Sequence, residues 1–247
     1  MAERPILFND GMVRAILDGR KTQTRRALKH QPPKGCGAIE GPEMFAPTVY
    51  VRGEEQPGPE VFGAFSEDGE WSVKCPYGQP GDRLWVREAF ALLGNEDGAC
   101  VDWDDNLQKG DERAAARIYR ASCERAEYGL WRIPDKAPWK PYTNDLHYDG
   151  AWRPSIHMPR WASRILLEVT AVRVERLQEI SEADAKAEGI QPAPGGWWSG
   201  ADGQSSPTPA GAYALLWESI NGAGSWATNP WVWVVEFRVI EPSEVAS

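Results

Sequence analysis

Residues 163–177 limit the possible folds of this chain more than any other segment. Ile165, Leu167, Val169 and Ala171 alternate with Leu166, Glu168 and Thr170, and Val172 and Val174 continue the β-rich run. Shorter strands are predicted at 5–8, 83–90 and 231–240. In the second of these, Leu84, Val86 and Glu88 alternate with Trp85, Arg87 and Ala89, leaving one charged position on each face. A hairpin over 61–65 and 71–75 turns around Asp68-Gly69.

Helices are predicted at 10–18, 181–188 and 212–220. The first has Asn9 or Asp10 as its cap, Met12, Val13, Ile16 and Leu17 at helical spacing, and Gly19 as its stop. The second opens on Ser181-Glu-Ala-Asp184, which has the form of a capping box, and closes at Gly189. Together these elements predict one α+β domain over 1–247, whose sheet is mostly antiparallel. Segments at about 31–74, 94–155 and 191–210 read as inserts, since none has apolar periodicity of its own. The last, with Trp197-Trp198 among Gly, Pro and Ser, reads as a flap.

Charge is distributed unevenly. The net charge is −9, yet residues 1–30 hold seven Lys/Arg against three Asp/Glu, a local +4 that leaves −13 for the rest. An acidic body excludes broad binding to duplex nucleic acid, which depends on phosphate neutralisation, but leaves room for a small basic pocket. The basic residues concentrate in Gly19-Arg20-Lys21-Thr22-Gln23-Thr24-Arg25-Arg26. If this stretch forms a turn at the helix end, Lys21 and Thr24 are three apart and face the same way. The neighbouring arginines and burial would then lower the lysine's proton affinity, so that it serves as base toward the threonine. Composition alone favours a solvated basic turn whose arginines bind carboxylates of the same chain.

Four cysteines (Cys36, Cys75, Cys100, Cys123) and three histidines (His30, His147, His157) show no ligand spacing, so neither a metal nor another cofactor is expected. MAERPILF lacks a signal-type apolar stretch and no run is long enough to span a bilayer, so a reduced cytoplasmic protein without a membrane partner is expected. Thirteen Trp are available as core filling or as stacking faces for bases.

These residues, in this order, resemble the ASCH (ASC-1 homology) family, which has a PUA-like, partly closed β-barrel. The matching landmarks are Gly19-x-Lys21-x-x-x-x-Arg26, Gly81-Asp82 entering a strand, and Ile156-His157-Met158-Pro159 before Trp161-Ala162-Ser163-Arg164-Ile165. Glu188-Gly189 and Val234-Val235-Glu236-Phe237 come after them. The wording is similar to ASCH proteins of tailed phages and prophages. One small bacterial branch hydrolyses the amide of N(4)-acetylcytidine with a Lys, a Thr and a Glu. Its motif K-T-x-T-x-R is reproduced at Lys21–Arg26, and an ungapped overlay of 166–189 places its glutamate on Glu188. This chain is more than twice as long as that branch.

The resemblance thus implies a cytoplasmic, metal-independent N(4)-acylcytidine amidohydrolase with Thr24 as nucleophile, Lys21 as base and Glu188 as proton donor. The negative end of a helix disfavours a carboxylate at Glu188, which suits a residue that hands on a proton. Arg26 or the new ammonium would face the oxyanion. Further substrate contacts could come from Trp85 as a stacking face, and from Glu88 and His157 to base edges. A structural role for His157 is equally open. Two other functions fit the same resemblance, an RNA- or modified-base-binding module without turnover and an ASCH ribonuclease. The acidic body weakens both.

Overall fold

The computed structural model describes residues 1–93, 100–102, 106–108, 112–123, 151–200 and 204–240. Most of the 94–155 insert therefore lies outside the described residues. In chain order the elements are β1 (Glu3–Leu7), α1 (Asp10–Leu17), β2 (Gln23–Ala27), β3 (Ile39–Phe45), β4 (Thr48–Val51), β5 (Glu54–Pro57), β6 (Val61–Ser66) and β7 (Ser72–Lys74). They continue with β8 (Arg83–Arg87), β9 (Phe90–Leu92), β10 (Arg117–Tyr119), α2 (Arg120–Cys123), β11 (Leu166–Arg176) and α3 (Glu182–Ala187). Last come β12 (Gln191–Ala193), β13 (Gly196–Trp198), β14 (Ser205–Ser206), α4 (Pro209–Asn221) and β15 (Trp231–Val239). This is an α+β chain. Among the described residues no helix is long and apolar enough to cross a membrane.

The principal sheet has the order β1-β8-β11-β15-β2. Val86 N bonds Ile165 O and Val169 N bonds Asp82 O, so β8 and β11 run antiparallel. Leu177 N to Pro230 O and Ile240 N to Leu166 O give the same sense for β11 and β15. β15 pairs antiparallel with β2, with Val235 opposite Thr24 and Val234 opposite Arg25. Between β1 and β8 the bonds Arg83 N to Ala2 O and Phe8 N to Arg87 O advance together, so these two run parallel.

By its contacts the chain falls into two compact units, whose boundaries lie within β1, β8, β11 and β15 and between Lys21 and Thr22, just before β2. The first comprises Met1–Arg4, Thr22–Arg83 and Glu168–Arg238. Its core is built on Val232, Trp233, Val234, Val235 and Phe237 of β15, with Ala212, Tyr213, Leu216 and Trp217 from α4 also buried. Thr208 caps α4 through Oγ1, which accepts from Gly211 N at 3.1 Å, and Pro209 occupies the first turn, where its missing N–H costs nothing. Three small sheets accompany this core: β3-β6-β7, β4-β5 and β12-β13-β14. The predicted 61–75 hairpin is present as β6 paired with β7, whereas β3, β4 and β5 fall where the sequence reads as an irregular excursion.

The second unit comprises Pro5–Lys21, Leu84–Leu167 and Val239–Ser247. Asn9 caps α1, its Oδ1 accepting from Met12 N at 2.8 Å, and Gly19 ends the helix with φ +72°. Phe90, Leu92, Ala115, Tyr119, Met158 and Ala162 form a cluster, with Trp85 and Trp161 packed against it. Beside Tyr119, Arg164 donates Nε and Nη2 to the two oxygens of Glu88 at 2.8 and 2.9 Å, and its guanidinium lies 4.2 Å from the Tyr119 ring centroid. Both charged side chains are 1% exposed. Removing one member of such a pair strands the other in a poor solvent. Arg164→Met is therefore expected to cost about 3–5 kcal/mol in chemical denaturation, clearly more than the loss of about 1 kcal/mol expected for the cap variant Thr208→Ala.

Candidate functional site

The basic stretch does not continue α1 as a turn. Arg20 N and Lys21 N both bond Ala15 O at 2.9 Å and close the helix, and by Gln23 the chain is a strand. Thr24 therefore sits on β2, and the three-residue helical spacing expected to align it with Lys21 does not apply. The reason is tertiary: β2 gains a full ladder with β15, which outweighs the helical propensity of Lys, Gln and Arg.

In a pleated strand successive side chains point to opposite faces, so Gln23 and Arg25 share one face of β2 while Thr24 and Arg26 share the other. Thr24 is 1% exposed. Arg26 is half-buried.

Glu188 is the C-cap of α3 and 2% exposed. The helix is fixed at its start by the predicted box: Ser181 Oγ accepts from Asp184 N at 3.0 Å, and Asp184 Oδ2 accepts from Ser181 N at 3.2 Å. Its end is fixed by Gly189, with φ +99°. Thr22 N donates to Ala187 O at 2.9 Å and Gln23 Nε2 to Asp184 O at 3.2 Å, which ties the approach to β2 onto α3.

Between these two elements lies an ionic cluster that the sequence reading missed. The Arg25 side chain is fully buried. Its Nη2 is 2.5 Å from Glu175 Oε1 and 3.3 Å from Asp184 Oδ2, and its Nη1 is 3.5 Å from Glu188 Oε1. Arg173 continues the cluster to Glu175 at 3.0 Å, to Asp184 at 2.6 Å, and to Glu236. The alternative of arginines binding carboxylates of the same chain is thus realised twice, at Arg20, which pairs with Asp18 at 2.7 Å at the surface, and at Arg25, in a buried setting. A signal was present: Arg173 and Glu175 are two apart in a strand and so share a face.

The cluster shapes the acidities around it. Burial acts to raise Asp184, but hydrogen bonds from the Ser181 hydroxyl and amide, with the charges of Arg173 and Arg25, outweigh it and hold Asp184 down at about 2. Burial pushes the Tyr213 phenol well above its ordinary range, and the charge of Glu188 adds to this against the pull of Arg25 and Arg26. The Tyr213 ring centroid lies 6.0 Å from the Arg25 guanidinium.

The other predicted residues belong to the second unit. Lys21 is 2% exposed, with Nζ 5.8 Å from the Phe8 ring centroid. Glu88 is held by Arg164, and Trp85 packs against the Phe90 cluster with Arg87 5.5 Å from its ring. His157 is exposed in a single 3₁₀ turn, Ser155–His157. Among the described residues no group of three or more His, Cys, Asp or Glu is arranged to hold a metal ion.

No protein-family model, curated protein or solved structure matches this chain.

Because Asp184 is depressed in the folded chain, its contribution to stability is complete above the unfolded-state value of about 3.9 and is lost as pH falls through about 2. The denaturation midpoint is expected to fall on acidification across that interval. Asp184→Asn should lower the midpoint at neutral pH and flatten this acid limb; an unchanged limb would show that Asp184 is not ionised against Arg173 and Arg25.

Proposed function

We propose that the chain is an ASCH-type amidohydrolase of PUA-like, partly closed barrel fold, which removes acyl groups from the exocyclic amine of N(4)-acylcytidines. One observation carries the reading. Lys21, Thr24 and Glu188, which between them carry an amine, a hydroxyl and a carboxylate, are each at most 2% exposed. Lysine and glutamate are rarely buried to that degree unless paired or used in chemistry.

In this reading Thr24 Oγ1 attacks the acyl carbonyl carbon while Lys21 accepts the hydroxyl proton. The oxyanion is balanced by the ammonium so formed or by Arg26. Collapse breaks the C–N bond and Glu188 gives its proton to the leaving cytosine nitrogen; water then attacks the acyl-threonine ester, handing one proton to the Glu188 carboxylate, and the Lys21 ammonium returns its proton to Thr24 Oγ1 as the C–O bond breaks and the free acid leaves. Every proton is accounted for by the three side chains and one water, without a metal or other cofactor. The pairing of Arg25 with three carboxylates also favours a small substrate over an RNA track, since it neutralises part of the motif's charge.

The test is incubation with N(4)-acetylcytidine and its deoxy and larger-acyl analogues, with cytidine release followed by chromatography. Thr24→Val, which keeps the shape, is expected to abolish release with the fold intact. Lys21→Arg should do nearly the same, because arginine stays protonated. Glu188→Gln should bind but turn over roughly 10²–10⁴-fold more slowly. Chelator should change nothing; activity lost on chelation and restored by zinc would remove this mechanism. Absence of release from any analogue would leave the base-binding module as the better reading.

A further inference from the structure

The first unit holds a groove of about 830 Å³ at the end of β2 and β15 remote from Thr22. It is formed by residues 31–39, by Arg176 at the end of β11, and by Trp231 at the start of β15. Its walls are fixed by Gln31, whose Nε2 donates to Leu28 O at 2.9 Å and Trp231 O at 3.0 Å while its Oε1 accepts from Trp231 N at 2.8 Å.

The lining carries two cations, Lys34 and Arg176, and no carboxylate, although the chain has 36 Asp and Glu. Two neighbouring acids are turned to other use: Asp68 accepts from Gly37 N at 2.5 Å, and Glu179 from Arg176 N at 3.0 Å. Neither Lys34 nor Arg176 has an ion-pair partner among the described residues, in contrast to Arg25, Arg164 and Arg173. Arg176 donates Nη1 to Asn229 O at 3.0 Å and lies over the Trp231 ring, 4.8 Å from its centroid. A guanidinium stacked on an indole is held flat, with its remaining N–H groups directed outward from its rim. Two cations match the charge of about −2 on a phosphate monoester. An indole beside them suits a planar base, and the volume exceeds what a bare anion needs.

We propose that this groove binds a nucleotide, with the phosphate on Lys34 and Arg176 and the base against Trp231. The ligand is either a free nucleotide or the terminal nucleotide of a single strand, and the site is separate from the residues assigned to catalysis.

Calorimetric titration of the whole chain with UMP, uridine, inorganic phosphate and a short oligouridylate tests this; uracil carries no exocyclic amine, so the hydrolytic reading is not probed. UMP is expected to bind and uridine and phosphate to bind much more weakly. Arg176→Gln should weaken UMP about tenfold or more, the loss of a charge-assisted hydrogen bond. Lys34→Gln should act in the same direction, with denaturation midpoints of both variants unchanged because both side chains are exposed. Thr24→Val should bind UMP as the wild type does. Oligouridylate binding more tightly than UMP assigns the groove to a strand, and equal binding assigns it to a free nucleotide. Phosphate binding as well as UMP would remove the indole's role, and uridine binding as well would remove the cations'. Binding untouched by both substitutions, lost in Thr24→Val, or absent for every ligand overturns the proposal.

Discussion

A desolvated guanidinium is the constraint on which the first unit turns. Arg25 cannot shed its proton, so once β15 draws β2 into the sheet its charge must be met by acceptors inside the protein. The acceptors come from separate stretches: Glu175 at the end of β11, and Asp184 and Glu188 on α3. Backbone and side-chain hydrogen bonds from Thr22 and Gln23 already tie α3 to the start of β2. The ion pairs of Arg25 add to these ties, because a shift of α3 would lengthen the arginine's contacts with Asp184 and Glu188. Such clusters contribute more to uniqueness of structure than to net stability, since each charge surrenders hydration on entry.

Much of this was legible in the chain. The 163–177 alternation appears as β11, shortened at its start because a 3₁₀ turn at Arg160–Ala162 precedes it and Ser163 turns its hydroxyl onto Val86 O at 2.8 Å. The Ser181-Asp184 box and the Gly19 and Gly189 stops are where local chemistry places them, because each depends only on neighbours. β4 and β5 were illegible for the opposite reason. Both faces of that hairpin are largely exposed, so no apolar period marks it, and its turn is made by Arg52 and Gly53 at φ of +54° and +89°.

The site was legible in its parts and not in its connections. Lys21, Thr24 and Glu188 stand out in the sequence one at a time, and all three are buried, but that Arg25 reaches Glu188 depends on strand pairing between residues about two hundred positions apart. The same holds for the Trp231 groove. Pro32, Pro33 and Gly35 read as punctuation in the sequence and become a wall only because Gln31 ties them to β15.

The short helix α3 has a consequence for how this chain tolerates change. Its start is locked by a reciprocal side-chain box and its end by a left-handed glycine, so the position of Glu188 is set within eight residues of chain, from Ser181 onward. The small β12-β13-β14 sheet begins only after that lock has closed. Extra chain can be spliced in beyond Gly189, or removed from it, without transmitting a register shift backward to the carboxylate. A longer or a shorter segment can therefore follow Gly189 on the same frame while the buried polar residues before it stay as they are.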